Sequence, residues 1–301
     1  MVIVRQKQIK RKNVKKHKFI HGVFQQKASI IFFMCYNSDM KDLAINIKNA
    51  TVCIDGREIL HNINWQVKRG EKYFILGANG AGKTTLVKTL LGYIWPFYGA
   101  TVEILGKRFG ETNLNELRKS IAWVSPFIQQ HLSRELTGIR MVLSGPDGYL
   151  GFYRNPTEQE QADAMNLLTM LNATHLADKS IMSMSSGEQM KILIARALLT
   201  KPELMIFDEP NVYLDIKERE FLLKTLDNII KTNPELTIIF ISQRIEDILP
   251  TFQKGMILNS GKIDICGSRE NILTEENLKK AFDLNVKLIQ SDSGRLWAIT
   301  E

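Results

Sequence analysis

The chain has 301 residues, 44% of them hydrophobic, enough to bury one large core with appendages. The longest apolar run, Ala28 to Tyr36, is nine residues, far short of the roughly 18 needed for a spanning helix and without the cleavage site of a signal peptide. The net charge of +8 resides in residues 1–39, which hold nine Lys/Arg against Asp39; the remaining 31 basic and 31 acidic residues balance, which argues against nucleic acid as a partner of the body.

Taken in order, the chain opens with Lys10-Arg11-Lys12 and Lys15-Lys16-His17-Lys18, a charge block expected to stay solvated and disordered. Residues 1–39 read as an N-terminal extension, because Met40-Lys41-Asp42-Leu43 has the look of a start; a basic arm for RNA or an anionic membrane surface is the competing reading. From Leu43 to Ile47 apolar and polar residues alternate, and Ala50–Ile54 and Ile59–Val67 repeat the pattern on either side of Asp55-Gly56, a hairpin turn. Arg69-Gly70-Glu71 leads into a buried strand, Lys72–Leu76. Cys35, Cys53 and Cys266 lack metal-ligand spacing and suit a reducing cytoplasm.

Gly77-Ala78-Asn79-Gly80-Ala81-Gly82-Lys83-Thr84-Thr85 follows that strand and precedes the helix-like Leu86–Leu91. Strand, glycine loop and helix turn the pattern G-x-x-x-x-G-K-[ST] into a phosphate site, since loop amides and the helix N-terminus converge on one anion. Gly77, Gly80 and Gly82 let the loop close with Asn79 at its tip. Lys83 is assigned to the β/γ-phosphates, Thr84 to Mg²⁺ and Thr85 to the α-phosphate, which makes the ligand a nucleoside triphosphate.

Strands are expected at Ala100–Leu105 and Ile121–Ser125, then helices at Glu135–Leu143, Glu158–Leu171 and Gly187–Leu199, interrupted by the loop Ser144-Gly145-Pro146-Asp147-Gly148. Leu204–Asp208 is a hydrophobic strand ending in a carboxylate. Asp208 is placed to hold Mg²⁺ through water, and Glu209 to polarise the attacking water. After the strand Thr237–Ser242 come a strand pair, Met256–Asn259 and Lys262–Ile265, an acidic helix at Glu275–Phe282, and a closing hairpin, Val286–Ile289 and Arg295–Ile299.

Met184-Ser185-Ser186-Gly187-Glu188-Gln189, opening a helix, resembles the signature of ATP-binding cassette (ABC) proteins, usually leucine-serine-glycine-glycine-glutamine. Together with the 125 residues between Lys83 and Asp208, it makes residues 43 to 270 similar to one ABC nucleotide-binding domain. The resemblance implies an α/β P-loop NTPase fold with a mixed sheet core, an antiparallel β subdomain and a helical insert. The expected organisation is an ABC domain over 40–301, with a helical subdomain at about 126–200 and a C-terminal appendage at about 271–301. It further implies that Ser185, Gly187 and Glu188 meet the γ-phosphate of ATP held by the opposite subunit.

Four departures from the family pattern stand out. Cys53-Ile54 replaces the aromatic residue that stacks on adenine; Gln129 is nominated for the glutamine that contacts Mg²⁺ and senses the coupling partner; Tyr213 in Pro210-Asn211-Val212-Tyr213-Leu214-Asp215 replaces a small residue; Gln243 aligns with the switch histidine. The expected activity is ATP hydrolysis with ATP and Mg²⁺, catalysed through Lys83, Glu209 and Gln243 in an ATP-dependent homodimer or cassette heterodimer. The resemblance extends to molybdenum-transport-like ABC ATPases: a cytoplasmic chain at the inner face of the membrane, serving a separate permease subunit. A soluble regulatory or repair-type ATPase and a low-turnover ATP-binding switch are the alternatives.

Overall fold

The computed structural model describes residues 42–129, 136–146 and 154–300. The extension expected over residues 1–39, the apolar run Ala28–Tyr36, Glu135, and Asp147-Gly148 of the expected loop lie outside them.

Strands β1 (Leu43–Ile54) and β2 (Arg57–Lys68) form a hairpin closed by Asp55 and Gly56, whose φ values of 50° and 76° give the double left-handed turn that matches strand twist. The pause in alternation near Asn49 predicts a break between Leu43–Ile47 and Ala50–Ile54. Instead the strand continues, because Asn49 takes φ 54° and its N–H bonds to Asn64 Oδ1 at 3.0 Å, absorbing the break locally.

Then follow β3 (Lys72–Leu76), α1 (Lys83–Leu90), β4 (Thr101–Ile104), β5 (Lys107–Arg108), α2 (Leu114–Lys119) and β6 (Ile121–Val124). β5 and α2 were not expected; α2 spans 6 residues, is capped by Asn113, and is too short for an apolar period to show. Helices α3 (Pro126–Gln129), α4 (Gly138–Leu143), α5 (Glu158–Met170) and α6 (Ser186–Leu199) separate β6 from β7 (Leu204–Asp208). The chain ends through α7 (Ile216–Thr232), β8 (Thr237–Ser242), β9 (Lys254–Asn259), β10 (Lys262–Ser268), α8 (Arg269–Ile272), α9 (Glu275–Phe282) and the hairpin β11 (Val286–Gln290) with β12 (Leu296–Thr300).

The central sheet runs β10-β9-β3-β8-β7-β6, parallel throughout except for β10, beside a four-stranded antiparallel sheet β2-β1-β4-β5. Side chains alternate across the central sheet. Phe74, Phe207 and Phe240 face α6 and α7 in one core, while Ile75, Ile206 and Ile239 join α1 and the antiparallel sheet in another. Both faces are therefore covered, which is why β7 and β8 read as unbroken apolar runs. Among the described residues, no helix is long and apolar enough to cross a membrane.

The register fixes where function sits. Leu76 pairs with Ser242, Asp208 with Ile241, and Val124 with Phe207, so the carboxyl ends of four parallel strands share one edge. Loops after such ends form the crevice in which open α/β sheets bind ligands.

Candidate functional site

The loop after β3 is built by close approach. A Cβ on Gly77 would lie 2.3 Å from the Leu258 carbonyl oxygen, so only glycine lets β9 pass there. Gly82 takes φ 98° and caps α1 without a side-chain hydrogen bond, leaving the helix N-terminus open to an anion. Asn79, Gly80 and Thr84 are exposed and Thr85 half-buried along the same loop.

Lys83 is buried at the base of that loop, with Nζ 2.9 Å from Gly77 O, 2.7 Å from Ala78 O and 2.9 Å from Glu209 Oε1. Its three N–H groups are thus committed, and a phosphate must displace an acceptor to reach it. Glu209 has φ 51°, unusual for a non-glycine residue, and its N–H extends the ladder to Ile241 O at 3.0 Å. Gln243 Nε2 donates to Glu209 Oε2 at 2.8 Å. Lys83, Glu209 and Gln243, expected to act together, therefore form one continuous chain of contacts.

Asp208 lies beside them, 2% exposed, with Oδ1 lacking a hydrogen-bond partner. Burial first and the Glu209 charge second push its carboxyl up to about 6, opposed by a hydrogen bond from Thr84 and the charges of Lys83 and Lys88. A buried carboxylate oxygen without a partner, next to a threonine hydroxyl, is a hard-oxygen donor set that fits Mg²⁺. Gln129 ends α3 after β6 on the same sheet edge, and its side chain lies outside the described residues.

The residues expected to act across subunits form a second group. Ser185 caps α6 in a capping box: its Oγ accepts from Glu188 N–H at 3.2 Å and Glu188 Oε2 accepts from Ser185 N–H at 2.8 Å. Lys179 donates to Glu188 at 2.8 Å, and this contact, more than the backbone one, holds the Glu188 carboxyl below its usual range. Gly187 is buried against the carboxylate of Glu218. Among the described residues, no hydrogen bond or ion pair joins Ser185, Gly187 or Glu188 to Lys83, Asp208, Glu209 or Gln243.

Asp247, Arg219 and Glu218, which carry no sequence motif, support the site. Asp247 is fully buried and accepts from Ser242 Oγ at 2.8 Å and Arg219 Nε at 2.6 Å, and so anchors the turn that carries Gln243. Glu218, on the first turn of α7, accepts from Ser185 Oγ at 3.2 Å. Nothing local in sequence marks these pairs; only the packing of α7 against α6 and the β8 end brings them together.

A family model described as "ABC transporter" matches residues 60–212. An ABC transporter ATP-binding protein of Streptococcus mutans is 34% identical over 253 residues, 84% of this chain and 97% of that protein. The uncharacterized ABC transporter ATP-binding protein YlmA of Bacillus subtilis is 35% identical over 248 residues, 82% of this chain and 94% of its own. Among solved structures, cbiO1 from Clostridium perfringens, part of the ABC transporter complex cbiONQ, superposes with a TM-score of 0.67 at 25% identity, covering 79% of this chain and 94% of that one.

Proposed function

This chain belongs to the ATP-binding cassette family, and from that premise we propose that it is the ATP-hydrolysing subunit of an ABC transporter, two copies or two cassettes closing head-to-tail around MgATP. The observation that carries the reading is the Lys83–Glu209–Gln243 chain, with ion-pair and hydrogen-bond distances of 2.9 and 2.8 Å, at the edge that also presents Asp208 and Thr84.

In this reading the loop amides and the α1 N-terminus bind the phosphates, and Lys83 exchanges its contact with Glu209 for the β/γ-phosphates. Thr84 and Asp208 would hold Mg²⁺, with Gln129 assigned to the same ion; the metal supplies countercharge for the transferring phosphoryl group. Released from Lys83, Glu209 orients water toward the γ-phosphorus, and the Gln243 amide fixes the carboxylate's direction. Ser185, Gly187 and Glu188 lie apart from this set, and a second cassette supplies their counterpart. Gln243 cannot take up a proton near neutral pH, which favours slow turnover.

The partner outside the cassette is a membrane permease. A cavity of about 600 Å³ between the ends of α1 and α6 offers apolar walls, including Tyr93 and Trp123, with Arg118, Lys119 and Arg196 at its lining. Its chemistry suits an apolar segment flanked by acids on the permease's inner face.

Phosphate release from MgATP tests the catalytic part. Wild type should turn over, Glu209→Gln should bind without turning over, and Lys83→Ala should do neither. Equal rates in all three would remove the assignment.

A further inference from the structure

The first turns of α6 and α7 meet at one carboxylate. Ser185 Oγ uses its lone proton on Glu218 Oε1 at 3.2 Å, while accepting from Glu188 N–H. A Cβ built on Gly187 would lie 2.2 Å from Oε1 and 2.5 Å from Oε2 of Glu218, so both carboxylate oxygens press on the bare face of that glycine. Among the described residues Glu218 forms no ion pair, and what holds its charge is the serine hydroxyl and the start of the 14-residue helix α6.

A hydroxyl, a glycine and a helix N-terminus are also the donor set that the two-ATP reading assigns to the partner's γ-phosphate. Phosphate and carboxylate are both anions, and the two cannot share that position without strong repulsion.

The base of α7 is fixed around this contact. Glu218 N–H bonds to Asp215 Oδ1 at 2.8 Å, Arg219 Nε to Asp247 at 2.6 Å, and Glu220 accepts from Arg295 at 2.7 and 3.0 Å. With Glu218 N–H held by the helix's own cap and Arg219 and Glu220 tied to two other segments of the chain, the motion available at this point is rotation of the Glu218 side chain rather than displacement of the helix.

We infer that Glu218 is a carboxylate latch on the signature: it occupies the phosphate position of its own cassette and must swing away before that cassette can close on the partner's ATP. The latch raises the concentration of MgATP and protein needed for closure. It rests on the two-ATP reading above and adds its regulation.

The test compares Glu209→Gln with Glu209→Gln/Glu218→Gln by sedimentation velocity across a MgATP titration. Glutamine keeps the size of the side chain and can still accept from Ser185, but carries no charge. The double variant should dimerise with a dissociation constant lower by roughly tenfold, since a carboxylate leaves a helix N-terminus at both sites of the pair. Binding of a fluorescent ATP analogue to dilute monomer reads the Lys83 loop and should be the same in both proteins. Equal or weaker dimerisation of the double variant, with Glu209→Gln itself dimerising, overturns the latch and leaves the two-ATP reading intact. If both variants bind the analogue yet stay monomeric, the latch and the two-ATP reading both fall. Tightening by Glu218→Ala but not by Glu218→Gln would assign the effect to bulk instead of charge, and would also overturn the latch.

Discussion

Gln243 Nε2 donates to Glu209 Oε2 at 2.8 Å, so the residue after β8 holds the carboxylate after β7. That one contact bridges two adjacent strand ends. Removing it in Gln243→Ala should lower kcat by roughly tenfold to a thousandfold, the loss expected when one fixed donor at a reacting centre goes. Gln243→His should raise kcat and bring in a pH dependence near about 6.5. Equal kcat for wild type, Ala and His variants at saturating MgATP would remove residue 243 from the mechanism.

Glu209 is also 2.9 Å from Lys83, where it competes with phosphate for the ammonium group. Glu209→Gln should therefore bind MgATP at least as tightly as wild type while kcat falls by roughly a hundredfold to ten-thousandfold. Isothermal titration and phosphate release, read together, check both halves. Weaker binding would show that Glu209 organises the loop instead of competing for it.

Asp208 gives a pH prediction whose sign follows from its raised value of about 6, against 3.8 ordinarily. Well below pH 3.8 the carboxyl is protonated in both folded and unfolded chains and contributes nothing. Between pH 4 and 6 the unfolded chain gives up its proton while the folded chain keeps it, so stability falls as pH rises, and the deficit persists above pH 6. Asp208→Asn lacks that deficit. In urea unfolding without Mg²⁺, the variant should lie close to wild type at pH 4 and exceed it by on the order of 2 kcal/mol at pH 7. A difference that does not change with pH would contradict the burial argument.

Gly77→Ala should cost roughly 1–3 kcal/mol of stability, because the new Cβ meets a backbone oxygen, Leu258 O, at 2.3 Å. MgATP binding should weaken with it as the loop is pushed off β9. A variant of unchanged melting temperature and affinity would show that the strand yields easily.

Much of this was legible because the signals are local. The glycine loop sits between a strand and a helix in plain order, β7 and β8 are continuous apolar runs, and α9 and the β11–β12 hairpin carry clear periods. The site also grouped as expected, since parallel strands put Lys83, Asp208 and Gln243 at one edge. What stayed hidden depends on chain segments meeting in space. Ser185 and Glu218 are 33 residues apart, and Arg219 reaches Asp247 across 28. Short or irregular pieces were hidden too: β5 is two residues long, and Asn49 carries β1 through a break in alternation that reads as a loop.

The central claim, two cassettes closed around MgATP, is most directly tested by sedimentation velocity of Glu209→Gln at micromolar concentration, with and without MgATP. The account predicts a monomer without nucleotide, a dimer with MgATP, and a monomer again when Ser185 is also changed to bulky, charged Glu. A protein that binds MgATP and sediments as a monomer in all three conditions would contradict it.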